Sequence, residues 1–327
     1  MGKNKINMGK IAKQYALIGF LLILCLIIFI VEPRFASKEN LINVLIQISI
    51  NAFIATGMTF VLLTGGIDLS VGPVCALNGI LGALLCKQLP AMNIGMTLIV
   101  GIVLSAAVAI VIGGISAVII CKFNVAPFIA TLAMMNAARG VCYLLTNSKP
   151  VYELPESFLW IGQGYVGPVP FIVILTVIVL VVSHIILSKT AYGRHIYAVG
   201  SNEEVAKLSG IGVNKIKTSV YMICAGLSAF AGICLSAKIG TGQPAAAEGY
   251  EQFAIAAAVM GGTSLVGGTG GIPNTIIGII AIGIINNGLS LMQVNSYWQK
   301  VAMGVIIAFA SGRHGRGDDR GVCPLQL

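Results

Sequence analysis

Charge is scarce in this chain. Only 9% of its 327 residues are Asp, Glu, Lys or Arg, against about 25% in a soluble domain. That is too little to cover a water-facing surface, which excludes an ordinary soluble fold. Acidic residues are scarcer than basic ones, 11 against 20. The basic excess collects at the N-terminus, between 189 and 217, and after 311. These are gaps between apolar runs, where a membrane protein carries Lys and Arg on its inner side. The net charge of +9 therefore needs no nucleic-acid partner. Histidine is nearly absent, with three residues, and none of the eight cysteines stands in a CxxC pair. Seven of the cysteines, Cys25, Cys75, Cys86, Cys121, Cys142, Cys224 and Cys234, lie in or at the edges of apolar segments, so packing is their expected role, and no disulfide framework, zinc site or cofactor is expected. No GxxxxGK[ST] phosphate loop occurs, so the chain does not hold nucleotide by that device. No Ser/His/Asp or Cys/His arrangement suggests an enzyme.

What the chain has is apolar length. Hydrophobic residues make up 57% of it. Crossing ~30 Å of hydrocarbon takes about 20 helical residues. Ten candidate segments follow: 15–31, 41–63, 71–86, 94–121, 125–146, 170–188, 218–238, 251–260, 273–290 and 298–310. The expected class is an all-α polytopic membrane protein of about ten transmembrane helices. The run 15–31 is long for a signal peptide and lacks a small-x-small cleavage site, so it reads as an uncleaved first helix. Lys3, Lys5, Lys10 and Lys13 place the N-terminus in the cytoplasm. Lys189, Arg194, Lys207, Lys215 and Lys217 do the same for the loop 189–217. The loop 147–169, with Lys149 against Glu153 and Glu156, faces outward.

The apolar pattern is interrupted twice in a related way. Shifted by about 196 residues, 64–82 (TGGIDLSVGPVCALNGILG) lies over 260–278 (MGGTSLVGGTGGIPNTIIG). Gly65 and Gly66 match Gly261 and Gly262, Leu69 matches Leu265, and Asn78 matches Asn274. Glycine at these places permits a helix to break, and lipid cannot satisfy the exposed backbone. The breaks must therefore be buried in protein or line an aqueous route, as in transporters built from two related halves. Candidate path residues are Gly65, Gly66, Asp68, Ser70 and Asn51, with Gly261, Gly262 and Ser264 in the second copy. Asp68 has two readings, a helix cap or a polar contact for cargo. Ser264 occupies its place in the second copy, so the repeat does not require the charge. Whether the copies are parallel or inverted is open at this level. Asn43, Gln47 and Asn51 recur at a spacing of four and are expected to face the bundle interior. Arg139 is isolated and could line the path or pair with Asp68 or Glu251.

The loop 189–217 reads KTAYGRHIYAVGSNEEVAKLSGIGVNKIK. Asn202 can cap a short helix with Glu203 and Glu204 in its first turn, ended by Gly210 or Gly212. It is either a solvated connector or a docking element. The missing phosphate loop favours docking, since a pump without its own nucleotide site draws energy from another subunit.

Several ordered motifs carry a resemblance: LLTGGIDLSVGPVCAL, NVAPFIATLAMMNAARG, the loop just quoted, TGQPAAAEGYEQFAIAAAVMGGTSLVGGTGGI and NNGLSLMQVNSYWQKVAMG. Over most of 10–310 the chain resembles the permease subunit of ribose/xylose/galactose-type ABC importers. The resemblance implies one transmembrane permease domain over 1–310 that moves a monosaccharide through the inner membrane and catalyses no covalent reaction. It implies a paired permease or homodimer, a cytoplasmic ABC ATPase subunit and a periplasmic sugar-binding protein. Glu203, Glu204, Ala206 and Gly210 look like a loose version of the ATPase-docking motif, with Val205 replacing an expected Ala. The rival reading is an autonomous secondary transporter or facilitator. After Ala310 the chain departs from the family pattern, and 311–327 (SGRHGRGDDRGVCPLQL) is an atypical hydrophilic tail. A shifted reading frame would produce such an ending.

Overall fold

The computed structural model describes residues 19–305, apart from Phe20, Leu21, Leu24, Pro90 and Ser296. A helical stretch at 25–31 and a 3-10 turn, Pro33–Ala36, lead in. The helices then run α1 (Lys38–Leu63), α2 (Val71–Gln88), α3 (Ile94–Lys122, with a π-helical turn at Ala109–Gly113), α4 (Pro127–Thr146) and α5 (Glu156–Gln163). A two-residue hairpin, β1 (Tyr165–Val166) with β2 (Val169–Pro170), is followed by α6 (Phe171–Lys189), α7 (Ala191–Ser201) and α8 (Glu203–Leu208). The chain continues through α9 (Val213–Ile239), α10 (Tyr250–Met260) and α11 (Ile272–Leu291) to helical residues at 297–305.

The all-α membrane class holds, and the count of ten does not. Among the described residues seven helices are long and apolar enough to span: α1, α2, α3, α4, α6, α9 and α11. The candidate 251–260 is α10, with 11 residues. That is a rise of about 16 Å, short of the ~30 Å core. Candidates 15–31 and 298–310 and the tail 311–327 lie partly or wholly outside the described residues. The predicted outer loop 147–169 is only partly loop, since it contains α5 and β1. Pro155, which has no N–H to donate, starts α5 there.

Burial sorts the helices into an inner and an outer set. Within their spans α1, α2 and α9 are 78%, 72% and 72% buried, whereas α3, α4 and α6 are 33%, 22% and 22% buried. The outer set presents Val103, Ile110, Leu144 and Val181 to its surroundings, as lipid requires. Inside, Phe53 of α1 meets Phe230 of α9 edge-on at 5.3 Å. Asn40 and Asn287 exchange side-chain amide hydrogen bonds of 3.0 and 2.8 Å, joining the start of α1 to the far end of α11. A reciprocal pair satisfies both amides where no water can.

The interruptions at 64–70 and 261–271 are real breaks in the helices. They lie at the same end of the bundle, because the Gly268 N–H donates to the Leu63 carbonyl at 3.0 Å. In each case one helix arrives (α1, α10) and the next leaves (α2, α11). The two breaks therefore run in the same sense, which the sequence left open. Asn43 and Gln47 are exposed and Asn51 is half-buried, against the expectation that all three face inward. Their spacing fixes a common face without fixing its direction. The inward face of α1 is taken by Phe53, Ile54, Met58 and Val61, each fully buried.

Candidate functional site at the paired helix breaks

The first break begins where α1 runs out of side chains that favour helix. Gly65 takes φ +73, a left-handed conformation that glycine adopts without strain. Its N–H bonds to Leu62 O at 2.9 Å and the Gly66 N–H to Val61 O at 3.2 Å. These two bonds satisfy carbonyls that the helix end would otherwise orphan. The chain then turns on Asp68, which is 1% exposed. Asp68 Oδ1 accepts from the Ser70 N–H at 2.9 Å and from the Ser70 hydroxyl at 2.6 Å. The Cys224 thiol lies beside it. The Ile67 carbonyl accepts from the hydroxyls of Tyr221 at 3.4 Å and Thr131 at 3.3 Å. Asp68 thus fixes the turn that leads into α2 through Ser70, the residue before the helix, without bonding any N–H of α2 itself, and no cation pairs with it among the described residues.

The second break closes by similar means. Gly262 takes φ +98, and its N–H bonds to Val259 O at 2.9 Å. Ser264 Oγ accepts from the Val266 N–H at 3.2 Å, and the Ser264 N–H bonds to Thr269 O at 2.9 Å. Gly261 packs against the backbone of Asn274, so a side chain there would strike α11. Thr59 of α1 meets Thr275 of α11 through their hydroxyls at 2.8 Å, beside the break.

Helix α7 ties both breaks together. The Tyr197 hydroxyl donates to Gly270 O at 3.0 Å. Gly200 lies so close to the Leu63 carbonyl and the Gly268 N–H that a Cβ would overlap them. Asn202 then ends α7 and caps α8, accepting from the Val205 N–H at 3.0 Å. Glu203 of α8 pairs with Lys207 at 3.0 Å and with Lys217 of α9 at 2.5 Å. Lys217 in turn lines a cavity of about 30 Å³ with Thr64, Gly65, Gly66 and Tyr221. That volume holds one water and is far below the ~300 Å³ at which small-molecule pockets begin.

The structure brings Gly65, Gly66, Asp68, Ser70, Gly261, Gly262 and Ser264 into one region. Asn51 stands apart, more than two turns up α1. In the docking group Ala206 is buried, Glu204 and Gly210 are exposed, and Gly210 has φ +80. Arg139 bonds neither carboxylate proposed for it. Its Nη1 donates to the carbonyls of Pro244 and Ala246 at 2.6 and 2.9 Å. Sequence reasoning missed Tyr197, Gly200 and Tyr221, and took Lys217 only as a sign of topology. The signal for Gly200 was available, a glycine inside an otherwise helical YAVGSN run.

Lipid tolerates interrupted helices only where protein shelters the break. Two sheltered breaks at one end of an apolar bundle, tied to a polar linker helix, are the construction of a transport permease. The chain belongs to the family described as "Branched-chain amino acid transport system / permease component", which it matches over residues 40–311. It is 42% identical to the ribose import permease protein RbsC of Escherichia coli (strain K12) over 313 residues, covering 94% of this chain and 95% of that one. It is 42% identical over 294 residues to RbsC of Haemophilus influenzae, covering 89% of each. The L-arabinose transport system permease protein AraH of Escherichia coli (strain K12) is 32% identical over 308 residues, covering 94% of this chain and 92% of that one. No solved structure matches the chain.

Proposed function

We propose that this chain is the transmembrane subunit of an ATP-driven importer that brings a monosaccharide through the inner membrane. The observation that carries the reading is the 42% identity to a ribose import permease along 94% of the chain. The protein forms the path and makes no covalent bond. ATP hydrolysis belongs to a separate cytoplasmic ATPase subunit, and a periplasmic binding protein delivers the sugar. A second permease, of this kind or a relative, completes the path. Residues 1–310 act as one permease domain with related motifs at 64–82 and 260–278.

The N-terminus and the loop 189–217 face the cytoplasm, on the charge argument. The ATPase docks on α8 through Glu203, Glu204, Ala206 and Gly210. Its movement reaches the breaks by two short routes, α7 through Tyr197 and Gly200, and Lys217 through its pairing with Glu203. The breaks form the inner gate, with Gly65, Gly66, Asp68, Ser70, Gly261, Gly262 and Ser264 at its edge.

Proteoliposomes test the reading. Uptake of D-ribose or L-arabinose is expected only when the permease, its ATPase, its binding protein and ATP are all present. Uptake by the permease alone, indifferent to ATP, would replace this reading with a facilitator.

A further inference from the structure

Helix α4 is among the least covered of the spanning helices, yet its open side is not uniformly apolar. That side carries Ala133, Asn136, Ala137 and Gly140, all exposed. Asn136 lies nine residues beyond Pro127, ~14 Å along the axis and near the middle of a ~30 Å core. Its amide donates to Leu132 O at 3.0 Å, which leaves its oxygen and a second N–H for a ligand. One turn on, Arg139 is half-buried. Both of its bonds, to Pro244 and Ala246, use Nη1, so Nη2 and Nε remain available.

Glu251 lies five residues after Ala246, whose carbonyl Arg139 bonds. It sits in the first turn of α10, half-buried and within electrostatic reach of Arg139. Its Oε2 lies 2.7 Å from where a side chain on Gly72 would begin, at the start of α2. No ion pair among the described residues involves Arg139 or Glu251. A guanidinium, a carboxyl and an amide at this depth are strongly disfavoured against acyl chains and mark a polar path. Lipid-facing positions of α3 and α6 show the contrast, with Val103 and Val181 exposed there. The small residues around Asn136 let another helix approach closely. Donors from Arg139, acceptors from Glu251 and both from Asn136 match the neighbouring hydroxyls of a neutral sugar.

We propose that Asn136, Arg139 and Glu251 line the path of a monosaccharide, on a face completed by a second copy of this chain. The proposal rests on the importer reading and gives it a substrate-contacting surface. One chain supplies half of the surface, and without a second the sugar would lie against lipid.

The assembled importer, with its ATPase and binding protein in lipid nanodiscs, provides the test. Asn136→Cys and Val103→Cys are each treated with a charged methanethiosulfonate, and the rate of the unaltered chain is subtracted. Asn136→Cys is expected to react about ten-fold faster or more, because a charged reagent needs water to reach a thiol. Equal slow rates would overturn the proposal. This arm needs no transport. If the unaltered importer takes up neither D-ribose nor L-arabinose, the choice of sugar fails while the labelling still decides the face. Where uptake is measurable, Glu251→Gln and Arg139→Lys are expected to lower it about ten-fold with ATP hydrolysis retained. Unchanged uptake in both variants overturns the contact role. Oxidised Ala137→Cys is expected to give a disulfide-linked dimer, and monomer alone would remove the second copy from the proposal.

Discussion

The two helix breaks solve one problem with different materials. Each ends its arriving helix on a glycine with positive φ, Gly65 at +73 and Gly262 at +98. Each then turns on an oxygen that accepts a backbone N–H two residues ahead, Asp68 from Ser70 and Ser264 from Val266. The offset of 196 that aligns the sequences pairs 68 with 264 and 70 with 266. The shared element is therefore the local acceptor, and the charge is an addition made once. The setting explains the difference. Ser70, the donor after the first turn, is 1% exposed and adds a second bond from its hydroxyl, whereas Val266 after the second turn is 79% exposed, although both acceptors are buried, Asp68 at 1% and Ser264 at 9%. The first break spans residues 64–70 and the second 261–271. The first break is thus the shorter and the more tightly enclosed of the two.

The most damaging test of that comparison removes the contact between the halves. In Gly200→Ala the new methyl would overlap the Leu63 carbonyl and come within 2.6 Å of the Gly268 nitrogen. It must break the bond between the two breaks. Backbone cannot yield as a flexible side chain can, so a loss of about 4 kcal/mol or more is expected. Thermal unfolding in detergent and ATP-driven uptake both read it, and near-normal values would mean that α7 does not clamp the gate.

Exchanging the two acceptors is next in size. Asp68→Ala leaves the Ser70 N–H and hydroxyl buried without a partner, at about 1–3 kcal/mol for each group. Ser264→Ala leaves one partly exposed N–H, for about 1 kcal/mol or less. A melting point lowered far more by the first than by the second sharpens the distinction between sealed and open. Equal losses would erase it. Asp68→Asn keeps an acceptor oxygen and is expected to recover part of the difference. The glycine pair is a finer version of the same test. Gly65→Ala forces a left-handed alanine, at about 1–2 kcal/mol, with the Val266 carbonyl already 3.0 Å from the new methyl. Gly262→Ala bears the backbone cost alone, since its nearest neighbour is 4.0 Å away. The first variant is expected to melt lower.

The breaks were legible in the sequence because glycine and proline inside an apolar run have few other uses. The short helix α8 was legible too, since Asn202 followed by Glu203 and Glu204 is a local capping signal. What the sequence withheld depends on contacts between distant segments. Leu63 with Gly268, or Lys217 with Glu203, follows from packing that no local pattern encodes. The span count overshot for a related reason. Residues 251–260 are as apolar as a spanning helix, but the residues 241–249 before them form a bend and turns, so the helix is only 11 residues long. Hydropathy registers apolar character without registering backbone shape. The stripe of Asn43, Gln47 and Asn51 failed differently, since periodicity defines a face and only packing decides where it points.

The smallest expected effect concerns the link between α8 and α9. The hydrogen bond from Lys217 holds the Glu203 carboxyl below the usual glutamate range; burial opposes it, and the hydrogen bond from Lys207 adds a smaller lowering. A carboxyl whose folded value is depressed stabilises the fold fully above its unfolded value, about 4.3, and loses that contribution as pH falls through the folded value. Stability is therefore expected to fall below about pH 4.3 by an amount that Lys217→Met removes. Glu203 is 37% exposed on its side chain, so solvent screens the pair and the loss stays under about 1 kcal/mol. Melting points of both proteins from about pH 7 to about pH 2 isolate the contribution. If the two curves run parallel, the ion pair is idle, and the ties of this region to the breaks are those of Tyr197 and Gly200.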